Sequence, residues 1–434
     1  MRIAFFTPLS PVQSGISEYS EDLLPYLSEH AGIDVFIDDY EPEASLKERF
    51  RVYPHGEFEK RHSDDAYDIV LYHMGNNPYH FYMYPYLLKY PGITVMHDFV
   101  LHHFFTALTL AKGDSEGYVE EFRYNNGETG ERVARLRLKG VWTEMENFVF
   151  PLNKRVIDSS LGVIVHSGYV REEVEVTNPR VPVRRINMGI PALPQSSATK
   201  QEMKRRMGIP YDALVVGSFG FVFPIKKVDV SLRAFKDVTE RFPKAVFLIV
   251  GEISSSSGVV ELIDALGLKD RVIVTGFVTN DGFKEYINAT DLAINLRYPT
   301  AGETSASLLR IMGAGVPVIT SNYKQFAEFP DECCIKIDMG EGEVVRLREA
   351  IEALASSASL RKSMGDRARG YVERECTLQG AALAYSEFMY DVLKRKAVRG
   401  VMGAIKRELS EIGAQGEKDA GFLMAAKEEL GLYE

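Results

Sequence analysis

The segment DLAINLRYPTAGETSASLLRIMGAGVPVIT, residues 291–320, has a strand–helix–strand pattern. Its ends, DLAINL and VPVIT, are short apolar runs typical of buried strands, and the residues between them favour a helix that ends in a glycine-containing turn. One carboxylate, Glu303, stands at the junction of the first strand and the helix. The pattern predicts a parallel sheet with crossover helices and draws attention to that carboxylate.

The same alternation of strands and helices runs through the whole chain. Further strands are predicted at 2–7, 34–38, 68–73, 93–98, 162–167, 214–220, 245–251, 271–277 and 334–338. Near-continuous Val, Ile, Leu and Phe in these runs suit sheets covered on both faces. Helical spacing is clearest at 228–243, whereas 99–161 is less regular and long for one crossover.

A chain of 434 residues is long enough for two domains. The prolines and Ser/Thr cluster near its middle indicate a boundary. We therefore predict an α/β fold of two Rossmann-like, doubly wound domains facing each other across a cleft. The expected parts are an acceptor-binding domain (1–190), a linker (191–200), a donor-binding domain (201–375) and C-terminal helices (376–434), the first of which packs back toward the first domain.

Composition narrows the classes of function. The formal charge of −10 does not suggest nucleic acid as a partner. Three cysteines, two of them adjacent, form neither a disulfide framework nor a CxxC metal pattern, which favours a reducing compartment. The N-terminal run MRIAFFTPLS fits a first strand better than a signal peptide, and no stretch approaches about 20 apolar residues. We expect a cytoplasmic protein, with association at the inner membrane surface left open.

The junction at Glu303 is the first candidate site. Ligands of doubly wound sheets bind beyond the carboxyl ends of the strands, and free N–H groups at a helix start favour anions. The small residues Thr304, Ser305 and Ala306 would let a phosphate or sugar come close, and Arg310 falls on the same helical face. An ordinary N-terminal acid with a surface arginine explains the pattern equally well.

Two loops offer further candidates for phosphate binding. Lys226 and Lys227 lie before a predicted helix, where they would neutralise a diphosphate leaving group, unless they are simply solvated. Gly15, in the loop after the first strand, would bring backbone N–H groups close to a phosphate, unless the loop is an ordinary connection.

The first half also places polar residues at strand ends. His97 and Asp98 end one predicted strand, and Asn76 and Asn77 follow another, so they are candidates for contacting a sugar acceptor. A structural histidine and a packed aromatic helix are the alternatives. The sequence has neither GxxxxGK[ST] nor Asp-x-Asp, which argues against a P-loop NTPase and a metal-held diphosphate. No metal and no cofactor are expected.

At these residues the sequence resembles the retaining glycosyltransferases of the GT-B fold, family 4, over about residues 1–395. The most specific matching motifs, in order, are PIKKVDVSLRAF, FLIVGE, VTGFVTNDGFKEYINATDLAINL and GETSASLLRIMGAGVPVIT. Members of this family transfer a sugar from a nucleotide-sugar to a hydroxyl acceptor without metal and with retained anomeric configuration.

The resemblance implies roles for particular residues. Lys226 matches the lysine that binds the diphosphate, and Glu303 would hold hydroxyls of the donor sugar. His97 matches the histidine that reaches toward that sugar. The remaining implied donor contacts are Gly15 beside the phosphates, Phe277 and Val278 near the base, and backbone N–H groups of Thr304, Ser305 and Ala306.

The sequence departs from the family pattern at three positions. Many members have an arginine where this chain has Phe221, and Lys227 is expected to supply the missing charge. Many also have two glutamates eight residues apart, where this chain has Gly302 and Arg310. Because an arginine only donates hydrogen bonds, it cannot accept them from ribose hydroxyls. Arg310 is therefore expected to serve the phosphates or pair with Glu303.

The resemblance implies a UDP-, GDP- or ADP-sugar donor and a glycan, glycolipid or small-molecule acceptor, in cell-surface polysaccharide or glycoconjugate synthesis. The basic and aromatic segment 132–150 suits an anionic membrane if the acceptor is lipid-linked. The alternatives are a catalytically silent sugar-binding partner and an enzyme that acts on the nucleotide-sugar itself, such as an epimerase or a phosphorylase-like enzyme.

Overall fold

The computed structural model describes residues 1–63, 66–192 and 199–411, and their strands form two parallel sheets. The first sheet, in the order β3-β2-β1-β4-β5-β6-β7, contains β1 Arg2–Phe6, β2 Gly32–Ile37, β3 Arg51–Pro54, β4 Ile69–Met74, β5 Ile93–Met96, β6 Gly162–Val165 and β7 Val183–Arg185. The second sheet, in the order β10-β9-β8-β11-β12-β13, contains β8 Val215–Phe219, β9 Val246–Val250, β10 Val272–Val274, β11 Leu292–Asn295, β12 Val318–Ser321 and β13 Cys334–Ile337. Both orders are those of a doubly wound Rossmann-like sheet.

Helices cover both faces of each sheet. The first domain contains α1 Gly15–Leu27, α2 Ala44–Arg49, α3 Phe58–His62, α4 Tyr84–Lys89, α5 His102–Leu108, α6 Ser115–Leu138, α7 Glu146–Val149, α8 Lys154–Asp158 and α9 Gly168–Thr177. The second contains α10 Lys200–Arg206, α11 Val228–Arg241, α12 Val259–Ala265, α13 Asn280–Ala289, α14 Ala306–Gly313, α15 Glu343–Ser356 and α16 Ala358–Glu375. The last helix, α17 Leu378–Glu411, follows. No helix among the described residues is both long enough and apolar enough to cross a bilayer.

Every strand predicted from the sequence is present, with small shifts at the ends. The irregular segment 99–161 is helical, from α5 to α8. The pattern does not predict β3 and β7, because both are short and carry arginines. They are the two outer strands of the first sheet, where charged residues are common.

The chain passes between the domains at two neighbouring points. The Ile190 N–H donates to the Cys376 carbonyl at 2.9 Å, which ties the first crossing to the second. Beyond Cys376, α17 lies on the first domain, where the Tyr19 hydroxyl of α1 meets the Tyr385 hydroxyl at 3.3 Å. Residues 412–434, which belong to the predicted C-terminal helices, lie outside the described residues.

The packing of α16 requires a glycine at one position. A Cβ atom at Gly365 would lie 2.0 Å from the Gly315 carbonyl oxygen, in the turn after α14. We expect Gly365→Ala to lower the free energy of unfolding by about 1–3 kcal/mol, because the helix must move away from that backbone.

Gly370→Ala in the same helix is the matched control. A Cβ there meets no atom within 4 Å. It should raise the unfolding free energy by about 0.5–1 kcal/mol through helix propensity. Urea denaturation of both variants measures the two effects, and equal changes would contradict the close approach at Gly365.

Candidate active site

The candidate site lies where β8, β11 and β12 end side by side. These are neighbouring strands of the second sheet, and parallel strands carry their carboxyl ends at the same edge. The segments 220–227 and 296–305 leave this edge from β8 and β11. They bring together Lys226 and Glu303, as the sequence predicts, and add a residue that sequence analysis missed, Arg297.

Glu303 organises the loop that follows β11. Its Oε2 accepts hydrogen bonds from the Thr300 hydroxyl at 2.7 Å and the Ala301 N–H at 2.9 Å, and Oε1 accepts from Arg297 Nε at 3.3 Å. The side chain is 22% exposed. The carboxylate therefore binds its own loop first, and only part of its hydrogen-bonding capacity is left for a ligand.

Lys226 is held at the end of β8. Its Nζ donates to the Phe219 carbonyl at 2.7 Å and lies 2.7 Å from where a Cβ of Gly220 would stand. Burial lowers the pKa of Lys226 well below its usual value, and the charge of Arg297 lowers it further, whereas Glu303 raises it. The ammonium thus lies in a poorly solvated place where an anionic ligand would stabilise its charged form.

Arg297 is the charged residue that sequence analysis missed. Its side chain is 8% exposed, and its Nη1 donates to the Leu296 carbonyl at 3.2 Å. Burial lowers the pKa of Arg297, and Glu303 raises it. A signal was present in the sequence, because an arginine directly after a buried strand of a doubly wound sheet lies at the ligand-binding edge.

Lys227 does not supply the second charge that the sequence led us to expect. It adopts a left-handed conformation, with φ of +50°, and forms an ion pair with Glu343 of α15. Both side chains of this pair are largely buried. Its charge is therefore matched within the domain, and the expected diphosphate contact of Lys227 is corrected to a structural ion pair.

The start of α14 is open to the cleft. Ser305 caps this helix by accepting from the Leu308 N–H at 3.3 Å, and its hydroxyl also meets the Asn295 amide at 3.1 Å. Thr304 and Ala306 beside it are half-buried. Thr304 and Ser305 line a small pocket between the domains, with His166 of the first domain also among its lining residues.

Arg310 points away from Glu303 and toward the first domain. Its Nη2 lies 3.1 Å from Glu18 Oε2 and 3.8 Å from Asp22 Oδ2, both on α1. Burial raises the pKa of Asp22 to about 6, although Arg310 lowers it. The expected pairing with Glu303 is therefore wrong, because Arg310 pairs with the carboxylates of α1, whereas its expected phosphate contact stays a prediction.

The loop after β11 also contacts the first domain through its backbone. The Ala301 carbonyl accepts hydrogen bonds from the N–H groups of Phe99 and Val100, at 2.7 and 2.8 Å. Gly302 has φ of +87°, and a Cβ there would lie 2.7 Å from Phe99 Cβ. Gly302 therefore allows the donor-side loop to reach the end of β5.

At the end of β5, His97 is buried and Asp98 is partly buried. His97 Nε2 lies 2.9 Å from His73 Nδ1, and burial lowers the pKa of His97 well below its usual value. Burial raises the pKa of Asp98 to about 7, with a further contribution from Glu303, which places these two carboxyl groups near each other. The structure thus brings Asp98 toward the donor-side loop.

The other predicted residues have mainly structural contacts. Asn76 donates its N–H to Asp98 Oδ2 at 2.7 Å and accepts from the Phe104 N–H at 2.9 Å, and Asn77 caps the following turn by accepting from the Tyr79 N–H. Gly15 begins α1 with open space where a Cβ would be. In the loop between β10 and α13, Phe277 is exposed and Val278 is half-buried.

Among the described residues, one group of three potential metal ligands has its ligand atoms within 4.8 Å of one another: Asp38, Asp39 and His55. The two aspartates follow β2 and His55 follows β3, and His55 Nδ1 also meets the Tyr86 hydroxyl at 3.1 Å. None of the candidate donor-site residues belongs to this group.

The ion pairs of Arg310 with α1 predict that reversing the charge at position 310 weakens the contact between the two domains. Arg310→Glu places a third carboxylate against Glu18 and Asp22, and should lower the free energy of unfolding by about 1–2 kcal/mol. Adding Glu18→Arg should recover part of the loss, with a coupling energy of about 1 kcal/mol in a double-mutant cycle followed by urea denaturation.

Arg233→Glu, on an exposed position of α11, is the control for the change in net charge. Additive effects of Arg310→Glu and Glu18→Arg would show that this ion pair does not contribute to the contact between domains.

Comparison with known proteins links part of the chain to a family. Residues 199–371 match the family model described as glycosyl transferases group 1. The 2-deoxystreptamine N-acetyl-D-glucosaminyltransferase of Streptomyces fradiae is 32% identical over 132 residues, 29% of this chain and 30% of that protein. Alignments with two further curated relatives span 44% and 29% of their lengths, so the chain matches less than half of each of these three proteins.

Solved structures share the two-domain architecture. Sucrose-phosphate synthase from Thermosynechococcus elongatus superposes with a TM-score of 0.63 at 15% identity, covering 90% of this chain and 99% of that one. HepE of Anabaena, in complex with UDP and glucose, gives a TM-score of 0.63 at 16% identity, covering 90% of this chain and 100% of that one. The predicted GT-B fold, with two Rossmann-like domains across a cleft, is confirmed.

Proposed function

We propose that the protein transfers a sugar from a nucleotide-sugar to an acceptor hydroxyl, on the premise that residues 199–371 match the family model of the glycosyl transferases group 1. The observation that carries the proposal is the placement of Lys226 and Glu303 at the ends of adjacent strands in the matched segment. A partly buried ammonium, a carboxylate and the start of α14 suit a sugar diphosphate.

The donor diphosphate is held by Lys226 and by backbone N–H groups of Thr304, Ser305 and Ala306. Glu303, whose Oε1 has one long hydrogen bond, takes a hydroxyl of the donor sugar. Phe277 and Val278 border the base, and Gly15 approaches the phosphates from the first domain. UDP-glucose is the first donor to test, because the structurally similar HepE has been solved in complex with it.

The reaction is a displacement at the anomeric carbon with retained configuration. The bond from this carbon to the diphosphate oxygen breaks, and the diphosphate leaves with the electron pair. The acceptor oxygen forms the new bond on the same face, and its proton passes to the departing phosphate oxygen. Lys226 stabilises the charge that develops on the diphosphate, so neither a strong protein base nor a metal is required.

The acceptor binds against the first domain. Asp98, with a pKa of about 7 and close to Glu303, is partly protonated near neutrality and can accept or donate a hydrogen bond. His97 stays neutral because of its burial and contributes a ring nitrogen rather than a charge. Asn76 positions Asp98 through its backbone N–H, and Asn77 follows it at the rim. The acceptor is a carbohydrate or lipid-linked carbohydrate of a polysaccharide or glycoconjugate.

Lys226→Ala should lower kcat/KM for sugar transfer by about 10²–10³-fold, since a charge that stabilises the leaving group is lost. The test uses UDP-, GDP- and ADP-sugars with a panel of hydroxyl acceptors, with EDTA present, and reads the anomeric configuration of the product by NMR. Lys269→Ala, an exposed lysine of the same domain, should keep wild-type activity.

Each competing function has its own outcome in this assay. Tight donor binding without transfer or hydrolysis would favour a silent binding partner. Conversion of the donor without acceptor would favour an enzyme acting on the nucleotide-sugar. Wild-type turnover by a folded Lys226→Ala variant would overturn the role of Lys226.

If the acceptor is lipid-linked, the surface between α6 and α7 is our proposed membrane contact. Val141 and Trp142 are 61% and 43% exposed, and the Arg137 guanidinium lies 4.2 Å above the Trp142 ring. Exposed apolar and basic groups together suit the boundary of an anionic bilayer.

Co-sedimentation with vesicles tests this contact. The protein should bind vesicles that contain phosphatidylglycerol more tightly than those of phosphatidylcholine alone, with loss of binding at high salt. Trp142→Asp should abolish the binding, while Tyr211→Asp, a similarly exposed aromatic position of the other domain, should not. Equal binding by all three proteins would contradict the proposed contact.

A further inference from the structure

Arg297 and position 221 leave the same edge of the second sheet, from the neighbouring strands β11 and β8. β11 pairs with β8 so that Ala293 is opposite Gly217. β8 ends at Phe219 and β11 ends at Asn295, so Phe221 and Arg297 each stand two residues beyond the end of their strand. Beyond that point the Tyr298 N–H donates to the Ile225 carbonyl at 2.8 Å, so the chain after Arg297 is bonded to the chain just before Lys226.

Arg297 and Lys226 carry more positive charge than the cluster neutralises. Within the described residues, Glu303 is the only carboxylate bonded to either of them, and its Oε2 is already taken by Thr300 and Ala301. Lys226 Nζ donates only to a carbonyl. Two cations and one anion leave about one surplus positive charge in a place shielded from water, where it is costly unless an anion binds.

The Arg297 guanidinium has hydrogen-bonding capacity to spare. Its Nε faces Glu303 and its Nη1 faces the Leu296 carbonyl, while Nη2 donates to no atom of the described residues. A guanidinium fixed on one side and unpaired on the other is preorganised to bind a phosphate oxygen. Burial also lowers the pKa of both Arg297 and Lys226, a cost that a bound anion would relieve.

We propose that Arg297 is the second diphosphate-binding cation of the donor site, with Glu303 positioning its guanidinium. This inference rests on the proposed function, because it assigns a residue to the same donor site. It gives to Arg297 the role expected of Lys227, whose charge is paired with Glu343. It also gives Glu303 a second task, the orientation of Arg297.

The alternative is an arginine that only holds the loop 297–303 in shape. A loop-holding arginine and a diphosphate-binding arginine differ in which ligands bind more weakly when the arginine is replaced. A loop-holding arginine would affect a nucleoside and its diphosphate equally, and its loss would reduce stability. The loss of a diphosphate-binding arginine would weaken the binding of each ligand in proportion to the negative charge of its phosphates.

Calorimetric titration of the full chain with UDP, GDP, ADP, their parent nucleosides and inorganic pyrophosphate separates these roles. Arg297→Met should weaken binding of the preferred nucleoside diphosphate and of pyrophosphate by about 10- to 100-fold, the loss typical of one charge-assisted hydrogen bond. Binding of the nucleoside should be nearly unchanged. Arg297→Lys should recover part of the loss, and Arg233→Met, at an exposed position of α11, should bind as wild type.

Glu303→Gln keeps the arginine and removes its counter-ion. We expect diphosphate binding to weaken, with nucleoside binding nearly unchanged, because the guanidinium loses the carboxylate that orients it. This variant tests the inference even if Arg297→Met does not fold. Unchanged or tighter diphosphate binding by folded Glu303→Gln would count against the positioning of Arg297 by Glu303.

The outcomes also separate this inference from the proposed function. If wild type binds a nucleoside diphosphate and folded Arg297→Met binds it equally well, Arg297 is not a phosphate ligand and the proposed function stands. If wild type binds none of the three nucleoside diphosphates, the proposed function fails and the inference fails with it.

Discussion

The hydrogen bonds of the Glu303 carboxylate fix the shape of the loop after β11. The other contacts of the donor side of the cleft depend on that loop. Its hydrogen bonds to Arg297, Thr300 and Ala301 close the loop after β11 on itself. The closed loop fixes a guanidinium beside Lys226 and turns the Ala301 carbonyl toward the first domain. One acidic side chain therefore couples the charge of the donor side to the contact between domains.

The contact between domains combines apolar packing with small, directional interactions. Two backbone N–H groups of the first domain donate to Ala301, and Glu328 of the second domain accepts from the Gly168 and Tyr169 N–H groups at the start of α9, at 2.8 and 2.6 Å. The Arg310 ion pairs to α1 add charge complementarity. Interfaces of this kind hold domains in register and leave room for a ligand between them.

The two lysines before α11 show how neighbours in sequence diverge in role. Lys226 turns inward to the end of β8, while Lys227, in a left-handed conformation, turns to Glu343. The positive charge beside Lys226 comes instead from the neighbouring strand. The ends of neighbouring parallel strands lie at one edge of the sheet, so a cation of the site can come from the residues after either strand.

The sequence by itself determined the positions of most strands along the chain, the division into two Rossmann-like domains and the placement of Lys226 and Glu303 after strand ends, because apolar periodicity and strand ends are local properties of the chain. Only the tertiary structure decided the partners of the charged groups. Arg310 pairs with Glu18 on α1, Lys227 with Glu343 on α15, and Arg297 joins the cluster at Lys226. These pairs join residues from different elements, and in the first two cases more than a hundred positions separate the partners. Contacts between residues that are far apart in sequence follow from how the elements pack, and no local sequence pattern encodes that packing.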